Sequence, residues 1–265
     1  MPLKFVVMSD LHLTAGPVSP PEVDVHARLS QALDAIARNH GDADFVICAG
    51  DLADQGEPTA YAALRTAVAD LHCPVHFMVG NHDARGPFLD CFGGAHADEN
   101  GHIQTVIRAG GQHVILLDTL DPGEDSGALN HGRLDWLARQ LAAAGSAPVI
   151  LIMHHPPNPM HTSVDRIGLR DAACFRRALD GGAQIRQIIA GHVHLTSTAL
   201  WHGIPCATIA GSTFSMELGV ASRRDPLRRV EGPGQFAVVY SDADQTLVHF
   251  ENFFDNHPHL PGEIV

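Results

Sequence analysis

The sequence predicts an α/β fold in four layers, an αββα sandwich of two mixed β-sheets with helices covering both outer faces. Short runs rich in Val and Ile alternate with segments whose apolar residues recur every three or four positions, and hairpin signals gather in the second half. At 265 residues and 45% hydrophobic composition, the chain is long enough for one well-buried core. A single domain is expected over 1–254, followed by an irregular tail over 255–265.

The runs 4–8, 45–49, 75–79, 148–153 and 185–190 have strand length and read as buried strands. Between them, Val25/Leu29/Leu33/Ile36, Tyr61/Leu64/Val68/Leu71 and Leu134/Leu137/Leu141 each put an apolar stripe on one helix face. The first half therefore alternates strand and helix. Segments 103–108 and 113–118 flank an Ala-Gly-Gly turn, while 197–201, 204–209, 235–241 and 246–251 read as further hairpin strands. A purely doubly wound sheet has no place for so many hairpins, whereas two facing sheets do.

Two long loops have lengths that more often serve function than connection. Loop 156–170 carries Met160, His161, Asp165 and Arg166 and is expected to overhang the site. Loop 211–234 carries Arg223, Arg224, Arg228 and Arg229, which could contact a phosphate or a partner subunit but read first as solvated charge.

Composition excludes several classes. A net charge of −13, with no cationic track, argues against a nucleic-acid polymer as partner. No stretch approaches the roughly 18 apolar residues of a membrane helix, and 3–8 is too short for a signal-peptide core, so no membrane insertion and a cytoplasmic location are expected. Cys48, Cys73, Cys91, Cys174 and Cys206 are odd in number and form no CxxC, which fits free thiols. The hairpins and loops leave edges for a homodimer or higher oligomer.

Each predicted buried strand ends in metal-ligand residue types. Asp10 and His12 lie in SDLH, Asp51 in GD, Asn81, His82 and Asp83 in GNHD, His154 and His155 in MHHPP, and His192 and His194 in GHVH. Open α/β sheets place ligands at that edge. Carboxylate and imidazole donors together suit Zn, Mn, Fe or Co rather than Ca or soft copper. In D-x-H and H-x-H, residues two apart in an extended segment point the same way, so both side chains could reach one ion. Glycine before Asp51, Asn81 and His192 would let the backbone turn closely.

Singly, each motif is weak, because a lone His at a strand end is usually solvated or packed. Together they require a reason why every strand end carries a ligand type. His155 stays outside the ligand set, and His26, His40, His113, His131, His202, His249, His257 and His259 read as surface or packing residues.

SDLH, GDLAD, GNHD, MHHPP and GHVH, in this order and spacing, resemble the calcineurin-like metallophosphoesterase superfamily, and within it the bacterial class III cyclic-nucleotide and glycerophosphodiester phosphodiesterases. The match spans 5 to about 209. The resemblance implies a metal-dependent phosphodiesterase acting on small diesters, with 3′,5′-cyclic nucleotides as first choice. Glycerophosphodiesters or phosphomonoesters are the alternative substrates, and a catalytically dead binding scaffold or a nuclease stands further off.

The same resemblance implies two metal ions, divalent or mixed-valence, drawn from Fe, Mn, Zn and Co. Asp10, His12 and His194 would hold the first, Asn81, His154 and His192 the second, and Asp51 would bridge, since a carboxylate can share its oxygens between two cations. Two cations lower the pKa of a bound water from about 15.7 towards roughly 7, giving a hydroxide that attacks phosphorus in line. His82, oriented by Asp83, is expected to stabilise the phosphoryl charge or protonate the leaving alkoxide. His12, Asn81, His82 and His194 are expected to face the substrate. Purple acid phosphatases resemble GDxxY, but GDLAD puts Asp54 there, so a tyrosinate–iron centre is not expected.

Overall fold

The computed structural model describes residues 2–16, 23–218 and 228–254. In chain order the elements are β1 (Leu3–Met8), α1 (Val25–Asn39), β2 (Phe45–Ala49), α2 (Pro58–Ala67), β3 (Val75–Met78), α3 (Arg85–Phe92), β4 (Thr105–Ala109), β5 (Gln112–Leu117), α4 (His131–Ala144), β6 (Pro148–Met153), α5 (Ala172–Ala178) and β7 (Gln184–Ala190). Then follow β8 (Ser197–Trp201), β9 (Ile204–Thr208), β10 (Ser215–Met216), β11 (Arg229–Val230), β12 (Gln235–Ser241) and β13 (Thr246–Asn252).

One sheet runs β13-β12-β1-β2-β3 and the other β4-β5-β6-β7-β9-β8. β1, β2 and β3 are parallel, as are β5, β6, β7 and β9, while the β4/β5, β8/β9 and β12/β13 hairpins are antiparallel. The predicted mixture of crossovers and hairpins is therefore divided between two sheets.

Period-two alternation along the strands sorts the core into three layers. Phe5, Val7, Ile47 and Met78 point between the sheets and meet Val114, Leu116, Ile150, Ile152 and Ile189. Their neighbours Val6, Met8, Val46 and Cys48 point outward onto Leu29, Leu33 and Ile36 of α1 and Tyr61 and Leu64 of α2. On the opposite face Ile115, Leu117, Leu151 and Met153 pack on Trp136, Leu137 and Leu141 of α4 and on Phe175 of α5. Burial at about 1.5–3 kcal/mol for each large apolar side chain makes this the main driving term.

Helix starts follow local capping chemistry: Asp24 accepts from Ala27 N at 3.0 Å and Asn130 from Arg133 N at 3.0 Å. α3 and α5 were not expected, for local reasons. α3 carries Gly86 and Pro87 and is held by rings instead, with Phe88 stacked on Phe92 at 4.8 Å. α5 has one buried anchor, Phe175, lying parallel to Trp201 at 5.9 Å.

Loop 211–234 is not irregular throughout, because β10 and β11 pair within it. Arg223 and Arg224 lie outside the described residues, as do His257, His259 and the 255–265 tail. The five cysteines are free, and among the described residues no helix is long and apolar enough to cross a membrane.

Candidate active site

The carboxyl ends of β1, β2 and β3 in one sheet and of β6 and β7 in the other meet along one edge. Asp10 and His12 follow β1, Asp51 follows β2, Asn81, His82 and Asp83 follow β3, His154 and His155 follow β6, and His192 and His194 follow β7. Asp10, His12, Asp51, His154, His192 and His194 are buried, Asn81 is half-buried and His82 is exposed.

These segments are not extended. Asp10, His12, Asp51, His192 and His194 have φ of 58°, 44°, 49°, 67° and 48°, the left-handed region that costs a residue with a Cβ on the order of 1 kcal/mol or more. The strained turns are held by main-chain bonds, Asp10 N to Gly50 O at 3.1 Å and His12 N to Asp51 O at 2.9 Å. In consequence His192 and His194 diverge instead of reaching one ion together, which corrects the extended-segment expectation. His194 Nε2 lies 3.2 Å from His12 Nε2, while His192 Nδ1 lies 2.9 Å from Asn81 Oδ1.

The protons on these rings decide what the site can hold. His12 Nδ1 donates to Asp54 Oδ1 at 3.1 Å and His194 Nδ1 to the Phe214 carbonyl at 2.8 Å, so their Nε2 atoms face each other with at most one proton to share; burial opposes that proton on His12, but Asp54, Asp51 and Asp10 outweigh it. His192 Nε2 donates to the Ile167 carbonyl at 2.8 Å, leaving Nδ1 bare against Asn81 Oδ1. His154 Nδ1 donates to the Ala49 carbonyl at 3.0 Å, and its buried Nε2, with no hydrogen-bond partner, lies 3.2 Å from Asp51 Oδ2. Lone pairs opposed in this way repel unless a cation or an added proton lies between them. Donors at right angles around a cation, with bonds of about 2.1 Å, are separated by roughly 3 Å, the spacing of these pairs.

The pairs divide in two. Asp10 Oδ1 is 3.4 Å from His194 Nε2, which groups Asp10, His12 and His194, while His154, His192 and Asn81 form the other side. Asp51 Oδ2 lies 3.6 Å from His12 Nε2 and 3.2 Å from His154 Nε2, between the two groups. The donor set fits a pair of cations, with Asp51 placed to touch both.

Charge accounts for the same arrangement in the protein without cations. Burial lowers the His154 imidazole, but the Asp51 carboxylate outweighs it and raises His154 to about 9. Asp51 is correspondingly held well below the carboxylate range by His154, against the effect of burial. His192 is pushed down to about 3 by burial and by His154, so it stays a neutral imidazole.

Two glycines permit the approach. Gly50 has φ of 94°, and a Cβ there would stand 2.5 Å from His154 Nδ1. A Cβ on Gly80 would stand 2.2 Å from Asp51 Oδ1. Neither position tolerates a side chain without displacing a ligand.

Asp83 does not orient His82. Its buried carboxylate accepts from Leu52 N, Ala53 N and Gly80 N at 2.9–3.1 Å and from the Tyr61 hydroxyl at 2.9 Å, and burial, with Asp51 nearby, raises it to about 6. Asp83 thus joins the GD and GNHD turns. His82 is held by Asp54, whose carbonyl accepts from His82 Nδ1 at 2.7 Å. The same Asp54 fixes His12 through its carboxylate, a double role that the sequence shows only as an acidic residue three positions after Asp51.

His155 is fully buried, its ring nitrogens on Thr119 Oγ1 at 2.8 Å and the Asp125 carbonyl at 3.2 Å, so it packs behind the ligands. Loop 156–170 reaches the site through a main-chain atom, the Ile167 carbonyl. Its Asp165 instead accepts from Met160 N and His161 N.

Residues 3–195 match the calcineurin-like phosphoesterase family. A probable cyclic nucleotide phosphodiesterase of Rhodococcus erythropolis is 35% identical over 254 residues, covering 94% of this chain and 83% of the relative. A cAMP/cGMP dual specificity phosphodiesterase of Mycobacterium tuberculosis is 34% identical over 221 residues, covering 81% and 69%. A dimetal phosphatase from Danio rerio shares the fold at a TM-score of 0.72 and 16% identity, covering 96% and 97%. Motifs, fold and relatives agree, and the chain belongs to the calcineurin-like phosphoesterase family.

Proposed function

We propose that the protein is a cytoplasmic phosphodiesterase that uses two metal ions to hydrolyse small phosphodiesters, 3′,5′-cyclic nucleotides first. The observation that supports this most is the set of ligand-type nitrogen and oxygen atoms that face one another on either side of Asp51, at the spacing of a coordination shell. Substrate choice draws on the two relatives named for cyclic nucleotides. Asp10, His12 and His194 would hold one ion and Asn81, His154 and His192 the other, with Asp51 available to both; Fe, Mn, Zn or Co would suit these donors.

Bound there, the cations would supply a water that ionises near neutral pH and positive charge for the phosphate oxygens. The protein's own contribution is positioning. His82 is exposed at the rim, and its Nδ1–H is tied to the Asp54 carbonyl, so a proton carried on Nε2 is the one it can deliver to the leaving oxygen or to the phosphoryl group. His12, Asn81 and His194 sit beside it, facing the phosphate.

The test is elemental analysis of protein purified without added metal, together with kcat/KM for cyclic AMP, glycerophosphocholine and p-nitrophenyl phosphate after chelation and reloading. Cyclic AMP is expected to rank first. A rank far below the other two overturns the substrate assignment, and inactivity towards all three with every metal overturns the enzyme.

A further inference from the structure

Beside the ligands lies a cavity of about 700 Å³ that the hydrolytic chemistry does not use. It opens at His12 and Asp54 and extends along α1 to Arg28 and Gln31. Its size is that of a small-molecule site and far exceeds what a phosphate group fills.

One wall is Phe214. Its ring lies parallel to His194 at 4.1 Å, with an interplanar angle of 9°, so one face braces a ligand and the ring also lines the cavity. The Arg229 guanidinium stands 5.2 Å from that ring's centre. At the other end buried Arg28 stacks 3.6 Å over Phe254 and donates to Glu231 Oε1 at 2.9 Å.

This lining defines the chemistry of the occupant. A quaternary ammonium such as choline needs open aromatic faces and carboxylates without cations. Here a guanidinium stands over each aromatic ring, so a cationic head group meets repulsion. A second phosphate is disfavoured by Asp54 and Glu231. A flat, neutral heteroaromatic group suits the cavity: it stacks on guanidinium planes that aromatic rings back and can bond to the exposed Gln31 amide, which both donates and accepts.

We propose that this cavity is a nucleobase subsite, in which the Arg229 guanidinium, backed by Phe214, stacks the base while the adjoining ligands hold the cyclic phosphate. The inference rests on the phosphodiesterase reading and sharpens it, because it makes the base, and not the diester alone, the source of selectivity.

The test compares cyclic AMP with the 3′,5′-cyclic phosphate of methyl riboside, the same diester without a base, in the metal-loaded enzyme and its Phe214→Leu and Arg229→Ala variants. Arg229 is exposed and Leu keeps an apolar side chain at 214, so the folded state is retained and is checked by circular dichroism. Wild-type kcat/KM is expected to favour cyclic AMP by roughly ten- to hundred-fold, the usual yield of stacking one base. Each variant is expected to shrink that ratio about ten-fold through KM, and calorimetric affinity for AMP is expected to fall in parallel. Equal wild-type turnover of both diesters overturns the subsite and leaves the phosphodiesterase reading intact. Equal loss on both diesters in the variants also overturns it, since damage to the ligands would then explain the effect. Absence of turnover of either diester by wild type removes the reading on which the inference stands.

Discussion

The Tyr61 hydroxyl donates to Asp83 Oδ1 at 2.9 Å and accepts from Ala84 N at 2.9 Å, so a helix side chain closes the network that joins two ligand-bearing turns. Tyr61→Phe strips one donor from a buried carboxylate and leaves Ala84 N–H unpaired. A loss of about 1–3 kcal/mol is expected in urea unfolding. Asp83→Ala, which removes the acceptor of four hydrogen bonds, is expected to lose more, with metal content falling alongside.

The His82 side chain bonds to Asp54 and sets its ring edge-on against His12 at 4.6 Å, while its main-chain N–H donates to Asp51 Oδ1 at 2.9 Å. His82→Ala keeps that main-chain bond. Metal content by elemental analysis is expected to stay at the wild-type level, while kcat falls by ~10²–10⁴.

Gly80→Ala introduces a methyl group 2.2 Å from Asp51 Oδ1 and 2.6 Å from Asp51 N. The turn must move by an ångström or so, which displaces the bridging carboxylate. A loss of about 10² in kcat/KM is expected, with weaker metal retention on dialysis. Gly86→Ala, where a Cβ meets nothing within 4 Å, serves as the control.

Chelation leaves His192 Nδ1 opposed to Asn81 Oδ1, and leaves the Nε2 atoms of His12 and His194 with only a shared proton between them. The metal-free protein is therefore expected to melt at lower temperature. Free metal at 100 times its dissociation constant should recover about 2.7 kcal/mol, read as a concentration-dependent Tm.

Asp98 is held below the ordinary carboxylate range: burial pushes it up, but bonds from His102 N, Asn100 N and Gln104 Nε2 outweigh burial. A depressed carboxyl stabilises the fold above its unfolded value of about 3.9, and that contribution is lost as pH falls through the lower folded value. Wild type is expected to lose stability more steeply than Asp98→Asn between pH 5 and 2 in acid titration of the metal-free protein.

Much of the fold was legible because period-two and helical spacing are properties of the residues themselves. Strands 45–49, 148–153, 197–201 and 235–241 coincide with β2, β6, β8 and β12. α3 was not legible because Gly86 and Pro87 speak against a helix that Phe77, distant in sequence, stabilises by packing on Phe88 and Phe92. That the candidate ligands gather at one sheet edge was legible from the residue types at the strand ends. The left-handed backbone at Asp10, His12, Asp51, His192 and His194 was not, since propensity assigns that region to glycine and only tertiary hydrogen bonds hold other residues there. His82's partner was misread for a related reason: Asp83 is its neighbour in sequence, but Asp54 is its neighbour in space.

The proposed ligands are divided between the sheets, Asp10, His12, Asp51 and Asn81 from one and His154, His192 and His194 from the other. A bound cation pair would therefore act as a reversible staple across the sandwich, the part a disulfide would play in a protein with paired cysteines. Competition for metal, and not the redox state of the surroundings, is then what loosens one half of this molecule from the other.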